Sequence, residues 1–205
     1  MNDPPKPTTV LFVRHGQTAT TGTTLPGRAP GLHLSDAGLA QAATVADRIA
    51  GLPRVDAVYA SPLERTRETA APIAKGRKLR VRADRGLLEC DFGTWTGKRL
   101  KDLSKKPEWA TVQRYPSGFR FPGGESFADM QTRMIDTVNR LTEQHRGEVI
   151  VCVSHADPIK AAVAAAVGTH LDLFQRIVVS PCSVTAIAYS AYGPMVLAEI
   201  GRAHV

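Results

Sequence analysis

Three short apolar runs constrain this chain more than any other feature. Thr9 to Val13, Val55 to Ala60 and Glu148 to Val153 are mostly apolar and rich in β-branched residues. They are too short for buried helices and lack the alternation of half-exposed strands, so they predict strands covered on both faces. Between them the apolar period turns helical. Ser35-Asp36 caps a helix with Leu39, Ala42, Ala46 and Ile49 on one face, closed by Gly51. Leu63 to Lys75 reads as a helix interrupted late by Pro72. Ser126 and Asp129 form a capping box that starts a helix with Phe127, Met130, Met134, Val138 and Leu141 on its core face. Asp157-Pro158 opens an Ala-rich helix. Leu79 to Ala83, Ser183 to Tyr189 and Met195 to Ile200 complete the strands. Strand and helix in alternation imply crossover connections and an α/β fold: a three-layer αβα sandwich with a mostly parallel central sheet. The stretch 94–124 holds both tryptophans and reads as an irregular, lid-like insertion over one end of that sheet.

Composition narrows the class. With 205 residues, 43% hydrophobic and 22% charged, the chain suits one globular domain over 8–205 behind a proline-rich, disordered tail at 1–7. The tail lacks the apolar core of a secretory signal, and the apolar stretch Ala161 to Val167 is too short to span a membrane. Cys90, Cys152 and Cys182 are odd in number and form no CxxC pair, so neither a disulfide framework nor a zinc site is indicated. A cytoplasmic protein without membrane partners is expected. The net charge of +7 and pI near 9.6 suit an anionic ligand. Basic residues cluster at 75–82 and 98–106 without the interleaved aromatics that stack bases, so nucleic acid is not the expected partner. A homodimer is allowed by the sequence without being specified by it.

The ends of the apolar runs carry the chemistry. Ligands in open α/β sheets bind at the carboxyl ends of the strands. There stand Arg14 and His15 after the first run, Arg65 one turn into the helix after the second, and His155 after the Glu148 to Val153 run. Glu89 follows Leu87-Leu88 at the base of the insertion. Taken singly, Arg65 fits an exposed helix ion pair, Glu89 a partner for Arg85, and His155 a structural histidine. Together, two arginines and two histidines form a trap for a phosphoryl dianion, each charge-assisted bond contributing roughly 1.5–3 kcal/mol.

The surrounding text resembles the histidine phosphatase superfamily, the phosphoglycerate mutase-like proteins. The matching segments are Val13-Arg14-His15-Gly16-Gln17-Thr18, Ser61-Pro62-Leu63-Glu64-Arg65-Thr66-Arg67-Glu68-Thr69-Ala70, Leu88-Glu89-Cys90-Asp91-Phe92-Gly93-Thr94-Trp95-Thr96-Gly97, Gly123-Gly124-Glu125-Ser126 and Val153-Ser154-His155, in family order. The resemblance implies that His15 is a nucleophile that becomes phosphohistidine, with Arg14, Arg65 and His155 holding the phosphoryl oxygens. It makes Glu89 the acid/base carboxylate, whose pKa must be raised to donate a proton near neutrality. It adds Thr18, Thr21, Gly27 and Ala156 as substrate-binding positions and implies neither metal nor cofactor. Two departures stand out: Thr21 replaces the family's frequent Asn, and Pro26 replaces a hydroxyl residue. The substrate is expected to be a small-molecule phosphate ester, with specificity set by 94–124 and by Thr18 to Arg28. A phosphomonoester hydrolase is the favoured function. The alternatives are a phosphoglycerate-type mutase, whose adjacent arginine pair is missing from the insertion, and a non-catalytic phosphate-binding protein.

Overall fold

In the computed structural model residues 6–200 are described; the expected tail at 1–7 lies largely outside them. The chain runs β1 (Thr8–Arg14), α1 (Asp36–Ala50), β2 (Ala57–Ala60), α2 (Glu64–Gly76) and β3 (Val81–Ala83). It continues through α3 (Leu100–Leu103), α4 (Glu108–Arg114), α5 (Phe127–Gln144), β4 (Val149–Ser154), α6 (Ala156–Ala166), β5 (Val184–Ser190) and β6 (Gly193–Ile200). The six strands lie in the order β3-β2-β4-β1-β5-β6. Pairings among β3, β2, β4 and β1 are parallel, and β5 and β6 add antiparallel to the β1 side. The mostly parallel sheet expected from the apolar runs is therefore present.

Alternation along the strands builds two cores. Val10 and Phe12 of β1 point with Ile150 and Cys152 toward Met134, Val138 and Leu141 of α5 and Ile159 of α6. Leu11 and Val13 point with Val151 and Val153 toward Val45 and Ile49 of α1 and Ile73 of α2. Every one of these side chains is buried, and each full burial contributes about 1.5–3 kcal/mol. Helices thus cover both faces, and the three-layer sandwich follows.

Three local expectations are corrected. Leu39 is 51% exposed; the inner face of α1 runs Gly38, Ala42, Val45, Ala46 and Ile49, which rotates Leu39 outward. Pro72 does not interrupt α2, which continues to Gly76 because buried Ala70, Ile73 and Ala74 hold that face on the sheet. The stretch 94–124 is not irregular: it contains α3 and α4, and its residues build a third core. In that core Trp95, Phe119, Phe121 and Phe127 meet mostly edge to face, with ring centroids 5.0–5.5 Å apart. Both caps are as expected: Ser35 accepts from the Gly38 N–H, and Ser126 and Asp129 form the reciprocal box. No helix among the described residues is long and apolar enough to cross a membrane.

The first turn of α1 rests directly on the backbone after β1. A Cβ on Gly38 would stand 2.0 Å from the Gln17 carbonyl oxygen, and one on Gly16 would stand 2.6 Å from the Gly38 carbonyl oxygen. Backbone on both sides leaves nothing to swing away. Ala is the better helix former by about 1 kcal/mol, yet the clash is expected to win. Gly38→Ala should lower stability by about 1–3 kcal/mol, read as a lower urea midpoint at unchanged slope. A midpoint at or above the parent's would show that the close approach is dispensable.

Candidate active site

The strand ladder overruns the strands and gathers the site. The His15 N–H donates to the Ser154 carbonyl at 3.0 Å, the Ser61 N–H to the Val153 carbonyl at 3.0 Å, and the Asp84 N–H to the Ala60 carbonyl at 2.8 Å. Those bonds set the first residue after each strand in a row at the sheet's carboxyl edge. Arg14, His15, Arg65, Glu89 and His155, expected to converge, do converge there. All but Arg14 are buried.

Each group is held by identifiable bonds. His15 Nδ1 donates to the Gly16 carbonyl at 2.7 Å, so its lone pair is on Nε2. The Gly16 N–H in turn donates to Thr69 Oγ1 at 3.0 Å, which ties the β1 loop to α2. Arg14 Nη1 donates to the Val179 carbonyl at 2.7 Å. Arg65 is not a surface ion pair: it is 0% exposed, and its Nη2 donates to the Gly27 carbonyl at 2.7 Å and to His155 Nδ1 at 3.2 Å. Its Nε and Nη1 are buried and make no hydrogen bond within the protein. His155 Nε2 and Ser61 Oγ lie 2.9 Å apart, and with Nδ1 accepting from Arg65 the proton sits on Nε2. The two imidazoles meet edge to face, with centroids 5.2 Å apart.

Electrostatics follow from this packing. Burial, then the Arg65 charge, push His15 down to about 3, with Arg14 adding to the effect and the Gly16 hydrogen bond opposing it. Burial and Arg65 hold His155 well below the usual imidazole range. Both rings are therefore neutral near pH 7. Glu89 moves the other way: burial and the Asp157 charge push it up to about 7, against the Cys90 N–H, Arg65 and Arg14. The His15 imidazole and the Glu89 carboxyl, balanced between proton states, line one cavity of about 340 Å³; Arg65 and His155, fully buried, do not line it and adjoin it through His15.

The walls differ from expectation. Arg14, His15, Thr18, Thr21, Glu89 and Ala156 line the cavity, as the motifs imply. Gly27 stands behind it, presenting its carbonyl to Arg65, and Pro26 lines the wall in its place. From 94–124 only Leu100 reaches the cavity. Arg99 instead pairs with Asp102 at 2.7 Å and Arg120 with Asp129 at 2.7 Å, while Trp95 and Trp109 pack in the third core. The far wall comes from residues the sequence did not single out: Asp157, Lys160, Gln175 and Ile177 to Val179. Asp157 and Lys160 were findable, one turn apart on the helix after His155. The segment 175–179 runs out of the end of a 3-10 stretch, Leu171–Arg176, and carries no periodic or motif signal. No cluster of three or more metal-ligating side chains occurs among the described residues.

Comparison with known proteins agrees with this geometry. The sequence profile described as "Histidine phosphatase superfamily (branch 1)" matches residues 10–199. An uncharacterised protein of Mycobacterium tuberculosis is 40% identical over 158 residues, 76% of each chain. Phosphoserine phosphatase 1 of Hydrogenobacter thermophilus is 30% identical over 178 residues, covering 80% of this chain and 79% of that one. The structure of an Entamoeba histolytica phosphoserine phosphatase in complex with 3-phosphoglyceric acid superposes with a TM-score of 0.85. Its identity is 26%, over 96% of this chain and 98% of that chain.

The raised Glu89 carries a stability consequence. Its folded value of about 7 lies above the ordinary 4.5, so between those pH values the folded state holds more protons than the unfolded one. Stability then falls as pH rises through that window and stays lower above it. Glu89→Gln keeps an acceptor for the Cys90 N–H and removes the charge. The variant should match the parent near pH 4 and exceed it by about 2–3 kcal/mol above pH 8, read as a Tm higher by roughly 5–10 °C. An equal difference at both pH values would mean that the carboxylate is not the destabilising group.

Proposed function

We infer that this chain, which belongs to the histidine phosphatase superfamily, hydrolyses a small phosphorylated metabolite through a phosphohistidine on His15. The observation that carries the reading is the pairing of His15 with Arg65. The imidazole is neutral with its lone pair on Nε2, and a fully buried guanidinium beside it has two nitrogen atoms without a protein partner.

In the first step the His15 Nε2 lone pair attacks phosphorus in line, and the bond to the ester oxygen breaks. The Nδ1–H bond to the Gly16 carbonyl stabilises the positive charge that develops on the ring. Arg14 and Arg65 stabilise the equatorial oxygens. Glu89, protonated, gives its proton to the departing alkoxide. In the second step Glu89, now ionised, takes a proton from water as that water attacks phosphorus. The phosphorus–nitrogen bond breaks, inorganic phosphate leaves, and His15 returns to its neutral state. A carboxyl balanced near pH 7 serves both directions of transfer.

Hydrolysis is favoured over transfer to a second hydroxyl because 94–124 adds no cation to the cavity wall among the described residues. Relatives named phosphoserine phosphatase support a small phosphorylated acid as the first compound to try from a phosphometabolite panel.

Release of phosphate from p-nitrophenyl phosphate tests the reading. His15→Ala should lose at least about 10³-fold in kcat. Acid-labile, base-stable label should accumulate on the parent protein and be absent from the variant. Because Glu89 must be protonated for the first step, kcat/KM for an alkyl phosphate should fall on the alkaline side with a midpoint near pH 7. Glu89→Gln should remove that limb and cost about 10²–10⁴-fold on the alkyl ester. A parent without turnover on any ester, or a His15→Ala variant as active as the parent, refutes the assignment.

A further inference from the structure

The Gly-Gly-Glu-Ser segment matches the family text, yet Glu125 does not line the cavity. Its surroundings show what it does. Glu125 Oε1 and Oε2 accept from Arg133 Nε at 2.9 Å and Nη2 at 3.0 Å, a two-pronged pair. Oε2 also lies 2.8 Å from Arg28 Nη2 and accepts from the Asp91 N–H at 3.1 Å. Both guanidinium groups also donate to one stretch of backbone, while Arg28 Nη1 lies 3.8 Å from the Asp91 carboxylate. Arg133 Nη1 donates to the carbonyls of Gly86 at 2.6 Å and Leu88 at 2.9 Å, and its Nη2 to that of Glu89 at 3.3 Å. Arg28 Nε donates to the same Glu89 carbonyl at 2.8 Å.

Residues 88–92 belong to no helix or strand, so no ladder fixes the backbone that carries Glu89. Guanidinium donors take the ladder's place. The turn itself is pressed onto the same segment: a Cβ on Gly124 would stand 2.2 Å from the Asp91 carbonyl oxygen, and the Glu125 N–H donates to that oxygen at 2.9 Å. Two distant pieces of chain, the loop after β1 and α5, converge on the Glu89 carbonyl, and the turn before α5 holds the Asp91 carbonyl two residues on.

We propose that Arg28, Glu125 and Arg133 are positioning residues that hold the Glu89 backbone so that its carboxyl meets the leaving-group oxygen. None of the three lines the cavity, so their effect on turnover must pass through Glu89. The proposal rests on the reading of Glu89 as the proton donor. It adds a role for the Gly-Gly-Glu turn and for an arginine on α5.

The dependence of kcat/KM on leaving-group acidity separates positioning from general damage. p-Nitrophenyl phosphate departs with little help from an acid, whereas phenyl phosphate and a simple alkyl phosphate need the proton. Arg133→Met and Glu125→Gln should lose about 10–10²-fold on phenyl phosphate, the scale of a misplaced catalytic group, and under about 3-fold on the nitrophenyl ester. Inhibition by inorganic phosphate should be unchanged. Combined with Glu89→Gln, neither variant should cost anything further on phenyl phosphate, because all act through one carboxyl. Equal losses on every ester, losses that multiply with that of Glu89→Gln, or no loss at all would overturn the proposal. If Arg133→Met fails to fold, Arg28→Gln, at a partly exposed site, is read by the same pattern. A parent inactive on all the esters refutes the functional reading itself, a result distinct from any of these.

Discussion

A guanidinium with no access to water is expensive, and the whole carboxyl edge of this sheet is arranged around one. Arg65 leaves α2 between the ends of β1, β2 and β4, where burial opposes its charge and Glu89 and Glu64 favour it. An arginine does not relieve the cost by losing its proton. The fold answers with acceptors: the Gly27 carbonyl and His155 Nδ1. Burial first and this cation second keep both neighbouring imidazoles neutral. The cation also links Glu89 to any arriving dianion. On the proposed mechanism, phosphate and an ionised Glu89 compete for Arg65 and Arg14, so binding of the first favours proton uptake by the second. That protonated state is the one a departing alkoxide needs.

The parts of the site that could be read in the sequence were those fixed by short-range rules. A run of apolar residues has an end, and in a parallel sheet the ends share an edge; Arg14, His15 and His155 follow from that alone. Ser35 and Ser126 cap helices by contacts within one turn. Leu39 was misplaced because periodicity counts apolar residues and overlooks a glycine on the inner face, where Gly38 meets the Gln17 backbone. Pro72 was overweighted because local propensity does not see the sheet that holds Ala70, Ile73 and Ala74. The far wall at 175–179 has no local signature, since its place is set by α6 and by Arg14 reaching the Val179 carbonyl.

The insertion shows how composition misleads about placement. Its tryptophans, prolines and basic residues suggest an irregular, lid-like roof. In the fold its Phe121 packs between Phe92 and Phe127, and Phe127 in turn meets Phe174, in edge-to-face contacts with centroids 4.8–5.1 Å apart. That core adjoins the turn at 123–125, whose Glu125 N–H donates to the Asp91 carbonyl beside the Glu89 backbone. The insertion's lysines are left outside, facing solvent.

Discrimination among esters must then come from walls that do reach the cavity. One is hydroxyl-rich, with Thr18, Thr21 and Thr24; another is apolar, with Ile177, Val178 and Val179. Between them Lys160 stands 3.3 Å from Asp157 Oδ1 and donates to the Gln175 side-chain Oε1 at 3.1 Å. That lysine is already neutralised, so this wall presents a paired charge where a bisphosphate would need a free cation. On the proposed reading a monophosphate gains Arg14 and the buried Arg65 and forfeits nothing at the far wall. A second phosphate would have to break the Asp157–Lys160 pair and approach an aspartate that already raises Glu89. On the proposed function, the charge balance of the cavity, more than its size, is what supports one phosphoryl group per bound molecule and water as the final acceptor.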